Sequence, residues 1–209
     1  MCPILKRLLD VLFSGIFILL LLPIGIVLAL MVWWKMGSPI LFFQDRPGLN
    51  AHLFRLYKFR TMRCAAGADG KLLADAERLT PLGRWMRKWS VDELPELVNV
   101  LKGDMSLVGP RPLLQRYLGR YSPEQARRHE VKTGITGWAQ VNGRNAITWE
   151  EKFDLDVWYV DNRSFWLDLK ILAMTAWKVL KREGISAEGE ATMPEFMGTI
   201  ATSGKSENA

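Results

Sequence analysis

The chain has 209 residues, of which 49% are hydrophobic and 24% charged, and it carries a formal charge of +6. That length suits one compact domain with a small appendage and excludes two large domains. The two isolated cysteines, Cys2 and Cys64, fit a reducing compartment, and two histidines argue against a histidine-rich zinc site. The positive balance suits anionic lipid or a phosphate-bearing substrate; nucleic acid is disfavoured, because no DNA- or RNA-binding motif accompanies the charge.

Residues 11–34 contain no charged side chain, and Asp10 and Lys35 bound the run. About 20 helical residues cross a hydrocarbon core, so the run is long enough to span. Its flanks are wrong for a signal peptide. Pro23 lies near its middle, with Gly25 two residues on, so a kink is expected there. Basic residues stand on both sides, Lys6 and Arg7 before and Lys35 and Arg46 after, which leaves the positive-inside rule without an asymmetry. A helix that enters the membrane, bends and leaves on the same face satisfies these facts. So does a kinked spanning helix.

Residues 39–44 and 53–60 read as two strands around a turn at Arg46-Pro-Gly48. Residues 64–77 read as a polar loop turning at Asp69-Gly70. Thr80-Pro81 opens a helix with Leu82, Trp85, Met86 and Trp89 on one face and Arg84, Arg87 and Lys88 largely on the other. Such a helix lies at an anionic membrane surface, or packs its tryptophans into a soluble core. A second helix is predicted from Val91 to Leu101, with Leu94, Leu97, Val98 and Leu101 buried and Gly103 ending it. Gly109-Pro-Arg-Pro112 reads as a loop, 123–131 as helix, 134–137 as a break, and 138–143 as a short strand and turn. Thr148 with Glu151 forms a capping box for another helix, and Ser164 starts a last, strongly apolar helix reaching Gly184. The tail beyond Gly198 is small and polar, of a composition that favours disorder.

The chemistry centres on Asp92 and Glu93. One account makes Ser90-Val-Asp-Glu93 a capping box whose acids only complement a helix dipole. The other uses the positive end of the helix to hold phosphate, with one carboxylate attacking phosphorus and its neighbour binding a divalent cation or managing a proton. Two adjacent anions repel a diphosphate, so the second account needs a metal and arginines. Arg111, held between two prolines, offers a forked donor. Lys58, Arg60, Arg63, Arg87 and Arg144 add positive charge near the same segments. Asp154-Leu-Asp156 is a DxD triplet of the sort that binds metal–nucleotide, although residues i and i+2 of a helix diverge.

The strings Gln44-Asp-Arg-Pro-Gly48, Lys58-Phe-Arg-Thr-Met62, Ser90-Val-Asp-Glu-Leu-Pro95, residues 99–112, residues 134–144 and Asp156-Val-Trp-Tyr-Val160 together resemble the monotopic phosphoglycosyl transferases, also called bacterial sugar transferases. The resemblance covers nearly the whole chain. Small size and the ending at 184–194 resemble the PglC-type subgroup that handles diacetylated bacillosamine.

The resemblance implies an α+β, mainly helical fold. It has a re-entrant membrane helix kinked at Pro23 (1–36), interfacial amphipathic helices, a small cytoplasmic catalytic domain with short strands (37–198) and a disordered tail (199–209). It places the protein on the cytoplasmic face of the bacterial inner membrane, and a homodimer is compatible with it. It also implies a two-step reaction with Mg²⁺. Asp92 attacks the sugar-linked phosphate of a UDP-sugar, such as UDP-N,N'-diacetylbacillosamine, and UMP leaves; undecaprenyl phosphate then takes the phosphosugar, which begins glycoconjugate assembly. Glu93 matches the acidic partner, with a role in Mg²⁺ binding or in proton transfer, and Arg111 the phosphate-binding arginine. Lys58, Arg87, Arg60, Arg144 and Asp156 fall in or beside the family's strings as further substrate-binding residues. One departure stands out: the family's usual break is Ser-Pro, whereas here Leu22 precedes Pro23, and leucine cannot satisfy the backbone groups a kink frees. Two rivals remain: a membrane-anchored glycosyltransferase that uses Asp154 and Asp156 and releases UDP, and a non-enzymatic membrane scaffold.

Overall fold

A computed structural model describes residues 2–64, 73–143, 147–181 and 195–198. The architecture is the expected mainly helical α+β one. Helix α1 (Pro3–Met36) is one 34-residue helix with Pro23 inside it. Most of its apolar surface is exposed, but Ile18 and Leu21 in its middle pack on the main core, and both of its ends are held by the same body. At the start, Lys6 pairs with Asp168, and Arg7 donates to the carbonyls of Val100 and Leu101. Buried Asp10 accepts the amide of Leu107 at 3.0 Å and the hydroxyl of Ser106 at 3.1 Å. At the far end, Leu28 and Val32 pack with Phe59 and Met86.

Strands β1 (Leu41–Pro47) and β2 (Leu53–Phe59) form an antiparallel hairpin with Leu41 opposite Phe59 and Pro47 opposite Leu53. Asp69 and Gly70 lie outside the described residues. A short helix α2 (Asp75–Arg78) falls where sequence predicts only loop. Helix α3 (Pro81–Lys88) starts as expected, with the Gly83 amide donating to the Thr80 hydroxyl at 2.9 Å. Its apolar face splits: Met86 is fully buried against α1 and β2, while Trp85 remains 45% exposed.

A 3-10 turn (Val91–Glu93) precedes α4 (Glu96–Lys102), which ends at Gly103 with φ 96°. The predicted stripe is corrected here. Leu97 and Val100 are buried, but so are Glu96 and Asn99, whereas Val98 and Leu101 face outward. The cause is Asn99, which accepts the Tyr57 amide at 3.1 Å and donates to the Arg55 carbonyl at 2.7 Å, so α4 turns a polar edge to β2. Two bonds to backbone outweigh apolar periodicity in setting the helix's rotation.

Strand β3 (Ser106–Val108) runs parallel to β4 (Gly134–Thr136), a pairing too short to show in the sequence. Between them lie a 3-10 segment (Gln115–Arg120), α5 (Pro123–Ala126) and a further 3-10 turn (Arg127–His129). Residues 138–142, predicted as strand, form helix α6 (Trp138–Asn142). Helix α7 (Trp149–Asn162) begins with the expected capping box, both bonds present. Helix α8 (Phe165–Lys181) leaves Trp166, Trp177 and Leu180 exposed; Gly184 and the 199–209 tail lie outside the described residues. The main core joins Leu56, Val100, Met105, Val108, Tyr159 and Ile171.

Candidate active site

The site forms where the 3-10 turn, β2 and the loop after β3 meet. Ser90 adopts a left-handed conformation (φ 54°, ψ 20°) and makes no capping bond, so the capping-box account of Asp92 and Glu93 does not hold. Such a conformation costs roughly 1 kcal/mol for a residue other than glycine. It throws the next residues into a tight turn, and both acids face inward.

The acids have different surroundings. Glu93 Oε1 accepts Lys58 Nζ at 2.8 Å and also Arg111 Nη2, while Oε2 has only a long 3.5 Å contact with Arg111 Nη1. Burial would push this carboxyl up; Arg111 and Lys58 outweigh it and hold Glu93 well below the usual carboxylate range. Asp92 is 7% exposed, and among the described residues its carboxylate makes no hydrogen bond or ion pair. Burial and the adjacent Glu93 charge push it up, against the pull of Lys58, Arg87 and Arg111. One acid is therefore fixed and neutralised. The other is free, desolvated and set among cations.

Glu96, a residue sequence reading passed over, completes the base of the site. Its carboxylate lies 3.0 Å from Lys58 Nζ, so one lysine spans Glu93 and Glu96. The signal was present as the third acid of Asp92-Glu93-Leu-Pro-Glu96, but an acid one turn into a helix reads as surface.

Arg111 is placed by β3 and β4. The Gly109 amide donates to the Thr136 carbonyl at 2.9 Å, and the Gly134 amide to the Pro110 carbonyl at 3.0 Å, so the backbone before Arg111 is pinned twice. A second support was illegible in sequence. Arg128, 1% exposed, donates to Asp156 at 2.7 and 3.1 Å and to the Arg111 carbonyl at 2.8 Å. Asp156 thus reaches the site only through Arg128. Asp154 lies on the exposed side of α7, so the DxD acids face apart and cannot share a cation.

The remaining expected residues divide. Arg87 Nε donates to the Thr61 hydroxyl at 3.1 Å, beside the site. Arg60 is 8% exposed and spent elsewhere: it donates to the carbonyls of Met36, Gly37 (2.6 Å) and Ser38 (3.2 Å), closing the end of α1. Arg144 lies outside the described residues. No cluster of three or more metal-binding side chains occurs among the described residues. Mg²⁺ commonly takes only one or two carboxylates and completes its shell with water and substrate phosphate. The free Asp92 carboxylate and the little-used Glu93 Oε2 fit that requirement.

The bacterial sugar transferase family model matches residues 1–182. The chain belongs to the bacterial sugar transferases. This bacterial sugar transferase is 59% identical over 197 residues to the Bacillus subtilis protein "Uncharacterized sugar transferase EpsL", covering 94% of this chain and 97% of that protein. It is 39% identical over 201 residues to the Salmonella typhimurium undecaprenyl-phosphate galactose phosphotransferase, and 35% over 187 residues to the Escherichia coli UDP-glucose:undecaprenyl-phosphate glucose-1-phosphate transferase. Those matches take in 86% and 84% of this chain but only 41% and 40% of the relatives, so the bacterial sugar transferase spans about two-fifths of their length. It is an enzyme of the transferase class.

Proposed function

We propose that this bacterial sugar transferase moves a sugar 1-phosphate from a UDP-sugar to undecaprenyl phosphate through a phosphosugar–Asp92 intermediate. The carrying observation is the contrast between the two acids: Glu93 is tied by Lys58 and Arg111, while Asp92 is buried, unbonded and surrounded by positive charge. A carboxylate in that state is a nucleophile whose attack on a phosphate is electrostatically assisted.

An Asp92 carboxylate oxygen attacks the phosphorus that bears the sugar. The bond from that phosphorus to the bridging oxygen breaks, and UMP leaves with that oxygen. An oxygen of undecaprenyl phosphate then attacks the same phosphorus, the bond to Asp92 breaks, and the product is undecaprenyl diphosphate-sugar with the carboxylate restored. Arg111, held by Glu93 and by Arg128 behind it, orients the phosphate; Lys58 and Arg87 offset the charge that the diphosphate brings. Mg²⁺, held by Asp92 and Glu93 Oε2, would supply charge neutralisation at the phosphate oxygens.

The membrane placement follows the same logic. Helix α1 is apolar and long enough to cross a membrane, and its exposed apolar side fits lipid. Both of its ends grip one domain, which favours a re-entrant path over a spanning one and brings a lipid phosphate to the site from one face. We place that face in the cytoplasm, where nucleotide sugars are made. The sugar is an N-acetylated amino sugar on the resemblance at 184–194, with galactose and glucose as the comparators that the curated relatives' names supply.

A UDP-sugar panel read by nucleotide release tests the scheme. UMP is expected with one sugar, Asp92→Asn should lose at least about a thousandfold in rate, and mass spectrometry of enzyme mixed with nucleotide sugar alone should find phosphosugar on Asp92. Release of UDP, with Asp92→Asn still active, would sink it.

A further inference from the structure

Lys58, Arg111 and Arg128 each close on a carboxylate. Arg46 does not. It lies on β1 against the loop that carries Arg111, and among the described residues its guanidinium meets neutral acceptors: Gln44 Oε1 at 2.7 Å and the Pro112 carbonyl at 3.5 Å, the limit of a hydrogen bond. Its Nε is buried with no partner. Among the described residues no acid pairs with it. Of the five N–H groups a guanidinium offers, most are therefore uncommitted.

Taking a cation out of water without an anion to meet it is expensive, and proteins avoid it unless a ligand completes the pair. The Pro112 contact fixes where that ligand lies, because Pro112 follows Arg111 directly. Burial and the proximity of Arg111 push the Arg46 guanidinium down to about 10, and the charge of Glu96, which does not pair with it, offsets this only in part. Two arginines side by side want an anion with several oxygens between them. Planar forks on both match phosphate in geometry as well as charge.

We propose that Arg46 is a second phosphate-binding arginine, set beside Arg111 to take an anionic oxygen of the substrate's diphosphate or of the lipid phosphate. This rests on the function proposed above. Gln44, two residues back on the same strand face, orients the guanidinium and leaves its other donors for the ligand.

The test uses the full-length protein in detergent, with Arg46→Gln and Arg46→Lys. Steady-state UMP release is measured against UDP-sugar and against undecaprenyl phosphate in turn. Arg46→Gln should raise one KM by about tenfold or more, and Arg46→Lys, which keeps the charge but loses the fork, by less. A rise against UDP-sugar assigns the diphosphate; a rise against undecaprenyl phosphate assigns the lipid. Unchanged KM values, with or without a fall in kcat, overturn the proposal. A second arm needs no turnover: inorganic pyrophosphate should raise the melting temperature of the unsubstituted protein, and Arg46→Gln should abolish the rise. An undiminished rise overturns the proposal. If the unsubstituted protein releases no UMP from any sugar, the proposed function fails, while the pyrophosphate arm still decides the role of Arg46. If Arg46→Gln does not fold, Arg46→Lys carries both arms.

Discussion

Glu96 is a carboxyl with 2% of its surface exposed at the base of the site. Burial is the main reason that its pKa is pushed up to about 7; Lys58 pulls against this and Glu93 adds to it. A raised folded-state value means that the stability Glu96 contributes is whole below about pH 4.5, and is lost as pH rises through about 7. The loss is on the order of 3 kcal/mol. Glu96→Gln should therefore flatten the fall in melting temperature between pH 5 and 7.5 while leaving Lys58 its partner in Glu93. An unchanged slope would mean that Glu96 is ionised throughout. Behind Arg111, Asp156→Asn leaves Arg128 buried without its countercharge and should cost about 3–5 kcal/mol in denaturant unfolding. At this scale the sequence carried the acids and Arg111 through adjacency and proline flanks. It could not tell Arg60 from Lys58. Both are basic residues two apart on one strand, and only the tertiary fold decides that one meets a carboxylate and the other a row of helix-end carbonyls.

Among the elements, the parallel pair β3–β4 sets the loop that carries Arg111, and it depends on close backbone approach. A Cβ on Gly134 would lie 2.1 Å from the Gly109 amide nitrogen, with no flexible atom to give way. Gly134→Ala should cost more than about 2 kcal/mol and cut activity beyond what the stability loss explains. The segment 195–198 offers a second test. Phe196 is 2% exposed among Tyr117, Tyr121, Trp149 and Phe153, and Glu195 pairs with Arg116 and Arg120. Phe196→Ala should destabilise by about 3–5 kcal/mol, seen as a lower denaturant midpoint. Long periodic segments such as α7 and α8 were legible in the sequence. The three-residue strands were not, because Ser106 finds its partner only at Gly134, and α6, with five residues, is too short for a period to announce it.

For the molecule as a whole, the path of α1 decides how the enzyme meets lipid. Its first turns are bonded to β3, α4 and α8, and its last turns pack on β2 and α3. The chain carries its own probes. Cys2 precedes Lys6, Cys64 follows Lys35, and both thiols are free and exposed. In sealed vesicles of known orientation, a membrane-impermeant maleimide should label both from the same side; labelling from opposite sides would establish a spanning helix. The apolar run and its proline lead to the expectation of a bend, and the structure carries one helix from Pro3 to Met36 through Pro23. The ties at each end are polar side chains far apart in sequence, and no local pattern reveals them.

Lys58 stands near the end of β2 and Arg60 just beyond it, two residues on, a separation of about 7 Å. Arg60 ties off the apolar helix; Lys58 grips the acids of the candidate site. The distance from the candidate site to the end of the apolar helix is thus gauged by two peptide units of chain, with no linker to take up slack. Lengthening the hydrophobic run by one residue would advance it by about 1.5 Å and swing it by about 100°, while the site itself stayed bolted to the end of the helix. A lipid-borne phosphate riding at another depth would meet that site out of register.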